Sequence, residues 1–236
     1  MADHDGPRRA LIVGAGAGLS AAVARKLRAR GAAIALAARN TDKLAGLCRE
    51  LSASAHTCNA ASHDDVSALF TDLDRDFGAP DFVLYNPSHR VQGPLVELDP
   101  GEVEKALMVT AFGGFLVARE AVRRMLEAGG GAVFFTGASA SVKGYPRSAP
   151  FAMGKFALRG LAQSMARELQ PRNIHVAHFV IDGAIENPAR ARMAPPDNPD
   201  SLLKPDAIAD TMMAVLDQHR SAWSWEIELR PWVERF

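Results

Sequence analysis

The run Leu11-Ile12-Val13-Gly14-Ala15-Gly16-Ala17-Gly18-Leu19-Ser20 constrains this chain more than any other stretch. An apolar segment ends in three closely spaced glycines, and a helix-forming segment, 19–30, follows at once. Strand, tight turn and helix start, in that order, form a receptor for phosphate. Glycine lets the main chain approach a ligand closely, and the first helical turn presents unpaired N–H groups and a partial positive charge. Gly14, Gly16, Ala17, Gly18 and Leu19 are therefore candidate phosphate-binding residues. An ordinary strand-to-helix turn is the plainer alternative. Glycines that close a strand and open a helix near the chain start favour the ligand loop.

Strand and helix patterns then alternate along the chain. Strands are expected at 10–13, 33–38, 55–58, 81–85, 132–136 and 174–181. A last strand is expected at 223–229, where Trp223, Trp225, Ile227 and Leu229 alternate with Ser224, Glu226 and Glu228. Helices are expected at 19–30, from Thr41 to about 51, from Ser62 or Asp64 to 77, at 100–127 with one break, at 150–169 and at 206–217. Val66, Leu69, Phe70, Leu73 and Phe77, for example, recur at helical spacing. Continuous apolar strands joined through helices argue for a parallel sheet covered on both faces, with right-handed crossovers. The expected fold class is α/β: one Rossmann-like, doubly wound parallel sheet of about seven strands, a single dinucleotide-binding domain over 1–236. Ligands of such sheets sit beyond the C-terminal strand ends. The loops at 14–18, Arg39, Asn59, Asn86, 138–139 and 182–183 should therefore share one cleft. The stretch 187–205 holds five prolines and reads as a loop or lid.

Composition narrows the partners. Lys and Arg together number 27, as do Asp and Glu, so the formal charge is zero and gives no electrostatic case for nucleic acid or a membrane surface. No apolar run reaches the ~18 residues that span a bilayer, and the opening residues, 1–9, are polar and charged. Cys48 and Cys58 form no CxxC, and the seven histidines show no metal-ligand spacing, so a cytoplasmic protein without a metal is expected.

The glycine spacing resembles the T-G-x-x-x-G-x-G turn of short-chain dehydrogenases/reductases, with Val13 for the Thr and Ser20 for the last Gly. Tyr85-Asn86-Pro87-Ser88 stands where that family has N-N-A-G, Phe151-Ala152-Met153-Gly154-Lys155 where it has Y-x-x-x-K, and Ile181-Asp182-Gly183 near its P-G turn. The resemblance implies a nicotinamide cofactor. At the end of the second strand an acidic residue would pair with a 2′-hydroxyl; here Ala38 is followed by Arg39, whose guanidinium matches a 2′-phosphate, so NADP is preferred over NAD. Asn59, with Ala60, stands where the family contacts adenine; a helix-entry residue is the alternative for Asn59. Asn86, Lys155, Asp182 and Gly183 complete the implied cofactor set.

The resemblance also implies a catalytic Asn, Ser, Tyr and Lys. Those positions read Thr110, Ala138 (with Ser139 next to it), Phe151 and Lys155. Phe151 has no proton to give. Tyr145, Ser139, Ser148 or His89 could supply one, the substrate could need no strong acid, or the protein could bind the dinucleotide without turnover. The expectation is an NADP(H)-dependent oxidoreductase acting on a small carbonyl, imine or activated alkene, with a non-catalytic NADP(H)-binding homologue as the alternative. The helix from Phe156 to Leu169 is apolar nearly all round, and the family implies a homodimer or homotetramer through 103–127 and 150–169. Trp232 and Phe236 in the tail suggest docking or packing over the last strand.

Overall fold

Seven parallel strands form the centre of the protein in the order β3-β2-β1-β4-β5-β6-β7. They are β1 (Arg9–Val13), β2 (Ala33–Ala38), β3 (Ser54–Thr57), β4 (Phe82–Tyr85), β5 (Gly131–Thr136), β6 (Ile174–Ile181) and β7 (Glu226–Leu229). The structure is a computed structural model that describes residues 6–234, so Met1–5, Arg235 and Phe236 lie outside it.

The inner strands bury both faces, which is why they read as unbroken apolar runs. On one face Leu11, Val13, Val83, Tyr85, Val133 and Phe135 pack under α3 (His63–Asp76), α5 (Gly113–Ala128) and α6 (Ala149–Leu169). On the other, Ile12, Leu36, Phe82, Leu84, Phe134 and Phe179 pack under α1 (Leu19–Ala29), α2 (Ala45–Leu51) and α7 (Pro205–Leu216). Phe134 is wholly buried, with Phe82 and Phe179 ring centroids each 5.2 Å away. Truncating such a residue to alanine costs about 3–5 kcal/mol.

Local signals set the helix ends. Ser62 caps α3, its Oγ accepting from the Asp65 N–H at 3.1 Å. Asp99 does the same for α4 (Pro100–Leu107), whose first residue is a proline. The break expected in the 100–127 region is a π-helical turn, Met108–Phe112, between α4 and α5. The last strand is shorter than its alternation suggested. Gln218 accepts the Trp223 indole N–H at 3.0 Å and the Ser224 N–H at 2.7 Å, holding this segment in a turn until Glu226. Glu226 is also half-buried rather than solvent-facing, because it pairs in register with His178.

The order reverses between β1 and β4: β2 and β3 lie to one side of β1, β4 to β7 to the other. That switch point opens the crevice in which such sheets bind ligands. Among the described residues no helix is long and apolar enough to cross a membrane.

Candidate active site

Because every strand is parallel, all seven C-terminal ends lie along one edge, and the loops that follow them meet there. At its middle is the glycine turn. Gly14 has φ +78°, and a Cβ there would lie 2.7 Å from the Pro87 nitrogen, so no other residue fits. The Gly14 and Ala15 N–H groups both donate to Ala37 O, tying the turn to β2. Ser20 Oγ donates to Gly14 O at 3.0 Å and accepts from Asn86 Nδ2 at 2.8 Å, so the serine is an internal staple between the turn and the end of β4.

The turn leaves its amides free. α1 starts at Gly18 with no side-chain cap and no acidic residue in its first turn. Among the described residues, no acceptor meets the N–H groups of Gly16, Ala17, Gly18, Leu19 and Ser20. Over them stands Asn187, of the 187–205 loop. A Cβ on Gly18 would lie 3.2 Å from Asn187 Nδ2, and Asn187 Oδ1 is buried without a partner. An uncapped helix start facing an orphaned polar atom fits the diphosphate of a dinucleotide. Asn187 is a residue that sequence reasoning did not single out; it was legible only as one polar position in a proline-rich loop.

Arg39 follows β2 directly and is exposed, with no acidic partner among the described residues. Asn59 is used as a helix-entry residue: its N–H donates to Asp65 Oδ2 at 2.9 Å and its Oδ1 accepts from Ala61 N at 3.2 Å. Ala60 is buried, its carbonyl against Gly113. Asp182 is buried and engaged by Lys143 at 3.4 Å and Arg230 at 3.6 Å. Gly183 has φ +153°, and a Cβ there would meet Pro231 at 2.8 Å. The tail thus packs by the lid, where the Trp232 indole also donates to Asp200 at 3.0 Å.

The second part of the site lies where α6 meets the ends of β4 and β5. Lys155 is only 3 % exposed, and its Nζ donates to Thr136 O at 2.6 Å. Burial pushes its pKa down to about 8. Phe151, one helical turn earlier, has its ring centroid 6.0 Å from Lys155 Nζ and 5.1 Å from the Arg90 guanidinium carbon. Thr110 is wholly buried in the π-helical turn, its Oγ1 accepting from the His89 N–H at 3.3 Å. Ala138 and Ser139 follow β5 and are half-buried. Tyr145 is not brought to Phe151: it is exposed, with its ring 5.9 Å from Lys143 Nζ. Ser148 is buried beside Gln92, and His89 pairs with Glu102 at 2.8 Å.

Beneath the Ala138–Ser139 turn runs a buried chain of contacts. The Ala138 N–H donates to Ser141 Oγ at 3.1 Å, Ser141 Oγ lies 3.3 Å from His178 Nε2, and His178 Nδ1 lies 3.2 Å from Glu226 Oε2. Arg159, one turn after Lys155, closes the chain with two bonds to Glu226 at 2.6 and 2.8 Å. Burial pushes the His178 pKa down to about 4, so the ring is neutral at pH 7. The order serine, histidine, carboxylate is that of a hydrolytic triad, but Ser141 and His178 are both fully buried and no substrate reaches them. The chain instead ties α6 to the turn after β5. Only the register of β6 with β7 reveals it; the sequence placed Glu226 on the wet face.

Comparison with known proteins agrees with this architecture. The short chain dehydrogenase family profile matches residues 8–195. The chain belongs to the short-chain dehydrogenase family. A short-chain dehydrogenase from Rhodopseudomonas palustris, known from its crystal structure, is 34% identical, with 95% of this chain and 98% of that one covered and a TM-score of 0.81. A metagenomic short-chain oxidoreductase crystallised with NADP is 25% identical over 96% of this chain and 98% of its own, with a TM-score of 0.81. Nodulation protein G of Rhizobium sp. strain N33 is 29% identical over 182 residues, 76% of this chain and 74% of that protein. As a short-chain dehydrogenase, the chain keeps the seven-stranded sheet, the glycine turn and the buried lysine on one rim.

Proposed function

We propose that this protein is an NADP(H)-dependent oxidoreductase acting on a small carbonyl, imine or activated alkene, with Phe151 in the place of the family's acid/base tyrosine. Lys155 carries the reading. A lysine 3 % exposed, with one hydrogen bond to a carbonyl, is expensive to keep unless a ligand uses its remaining N–H groups. It sits on the same rim as the uncapped start of α1 and the orphaned Asn187 oxygen.

The free amides of Gly16 to Ser20 and Asn187 would hold the diphosphate, Arg39 the 2′-phosphate, and Lys155 the ribose hydroxyls next to the nicotinamide. Asn86, Ala60 and Gly183 shape the crevice by their main chain, and Asn59 borders the adenine end. A bound nicotinamide supplies a hydride. Around the substrate, Ser139 offers a hydroxyl, and its turn is fixed by the Ser141–His178–Glu226 chain. Phe151 holds no proton, so the proton for a reduced carbonyl comes from water or from the substrate, which favours iminium ions, activated alkenes or strongly polarised carbonyls. The NADP in the related metagenomic crystal structure supports the cofactor choice.

Titration with NADPH and NADH, then a 340 nm screen over aldehydes, ketones, imines and enones, tests the reading. A preference for NADH would refute the role of Arg39, and failure to bind either would refute the cofactor site. A non-catalytic dinucleotide-binding protein is the second reading, favoured by the missing hydroxyls at Phe151 and Ala138. It predicts binding without consumption of NADPH.

The helical face supports self-association. Phe112 and Phe115 stack at 6.0 Å between centroids on the α5 side, and Met153 and Phe156 stand out from α6, all four more than 40% exposed. A homodimer or homotetramer joined there would cover them. The free thiols of Cys48 and Cys58 suit a cytoplasmic setting.

A further inference from the structure

Arg90 stands over the ring that lacks the hydroxyl. Its guanidinium carbon is 5.1 Å from the Phe151 centroid, within cation–π range. The loop that carries it is pinned on both sides. Before it, the His89 N–H donates to Thr110 Oγ1 at 3.3 Å, and the His89 ring pairs with Glu102 at 2.8 Å. After it, Gln92 Nε2 lies 3.5 Å from Ser148 Oγ, and the Gly93 N–H donates to Arg147 O at 3.0 Å.

The charge around this arginine is unbalanced. Among the described residues no carboxylate pairs with Arg90. Glu102, the acid that meets this loop, is engaged by His89 and Lys105. Lys155 Nζ, 6.0 Å from the centroid of the same ring, adds a second positive group. This corner of the crevice therefore presents an exposed planar cation over the Phe151 ring, with no anion of its own among the described residues.

We propose that Arg90 binds a carboxylate carried by the substrate, so that the site takes a small oxo acid or enoic acid rather than a neutral ketone. This rests on the oxidoreductase reading above and names its substrate class. A guanidinium matches a carboxylate with two parallel N–H···O bonds, and it keeps its proton throughout. Arg90 thus orients and holds but does not protonate. In the reduction of an oxo acid, the carbonyl carbon would gain a hydride from NADPH, which is oxidised to NADP⁺, the C=O π bond would open, and the new oxyanion would take a proton from water, leaving hydroxide and the hydroxy acid.

The test has a binding arm and a kinetic arm. Benzoate and benzamide, a charged and a neutral probe of one shape, are titrated into the protein by calorimetry with and without NADPH. Wild type should bind benzoate about 10-fold tighter, and Arg90→Gln should erase the difference, as one charge-assisted pair predicts. Arg90→Lys should restore part of it, since it keeps the charge and loses the fork. Kinetically, the kcat/KM ratio of benzoylformate to its methyl ester, and of acetoacetate to its methyl ester, should fall about 10- to 100-fold in Arg90→Gln, chiefly through KM. Equal affinity for the two probes in wild type, or an ester preferred over its acid, overturns the proposal. If NADPH binds, the esters are reduced and the acids are not favoured, only the carboxylate assignment fails. If NADPH binds and no member of either pair is reduced, this inference fails alone when imines or enones are reduced in the 340 nm screen, and the oxidoreductase reading fails with it when they are not.

Discussion

The two halves of the crevice are made of different material. At the glycine turn the proposed ligand-facing groups are main-chain amides, placed by φ values and by the staple Ser20–Gly14–Asn86. Where α6 meets the ends of β4 and β5 they are side chains: Lys155, Phe151, Arg90 and Ser139. Main-chain sites tolerate sequence drift as long as the backbone path survives, so Val13 and Ser20 sit where the family pattern has Thr and Gly without altering the turn. Side-chain sites change chemistry with every substitution. One half therefore reports the family and the other reports the reaction.

The largest expected effect falls on the side-chain half. Lys155→Met keeps volume and removes the charge, and turnover of any substrate found should drop by about 10²-fold, the worth of a lost positioning contact. Steady-state rates with saturating NADPH check it. Because Lys155 also donates to Thr136 O, a far-ultraviolet spectrum and a melting curve must show the variant folded. Unchanged turnover in a folded variant would erase the contrast between the two halves.

The buried chain under Ala138–Ser139 gives the next effect, on stability. The His178 pKa is held near 4 by burial, against an unfolded value of about 6.5. In that interval the unfolded chain binds a proton that the folded one refuses, so stability falls as pH drops from about 6.5 to about 4. The interval corresponds to about 3 kcal/mol for this group, its charged form being disfavoured by desolvation. His178→Gln should flatten that part of the acid limb in melts between pH 4 and 7. An acid limb of unchanged slope would mean that His178 is hydrated in solution.

How much of this was legible differs between the halves for the same physical reason. The glycine turn, the alternating strands and helices, and Ser62 and Asp99 as caps are local signals, and each reads directly from neighbours in sequence. The chain from Arg159 through Glu226 and His178 to Ser141 spans residues 141 to 226 and exists only through the β6–β7 register. Alternation at 223–229 put Glu226 on the face opposite Ile227 and Leu229 but gave no sign that His178 of β6 and Arg159 of α6 cover that face. Arg90 likewise had no local signature; only the packing of its loop against Phe151 gives it a place.

Arg39 offers a smaller effect in the main-chain half. Arg39→Glu should shift the ratio of NADPH to NADH dissociation constants about 10-fold or more toward NADH, the worth of one charge-assisted pair and its reversal. Fluorescence titration of both dinucleotides reads it. A ratio that stays put would move 2′-phosphate recognition to another residue.

The smallest effect probes whether the main-chain half is indifferent to side chains at all. Ser20→Gly restores the family's residue, yet it deletes a hydroxyl that is 1% exposed and joins Gly14 O to Asn86 Nδ2. Two hydrogen bonds disappear and an amide N–H is left buried, which should lower unfolding free energy by about 1–2 kcal/mol in urea. The free amides of residues 16–20 are untouched, because none of them bonds to Ser20 Oγ. Affinity for NADPH should therefore move less than about 3-fold, well under the 1.4 kcal/mol of a tenfold change. Loss of stability with affinity intact means that Ser20 serves the turn and the turn serves the ligand. Loss of both in proportion would mean that the staple itself holds the amides in line, and that even the main-chain half depends on one well-placed side chain.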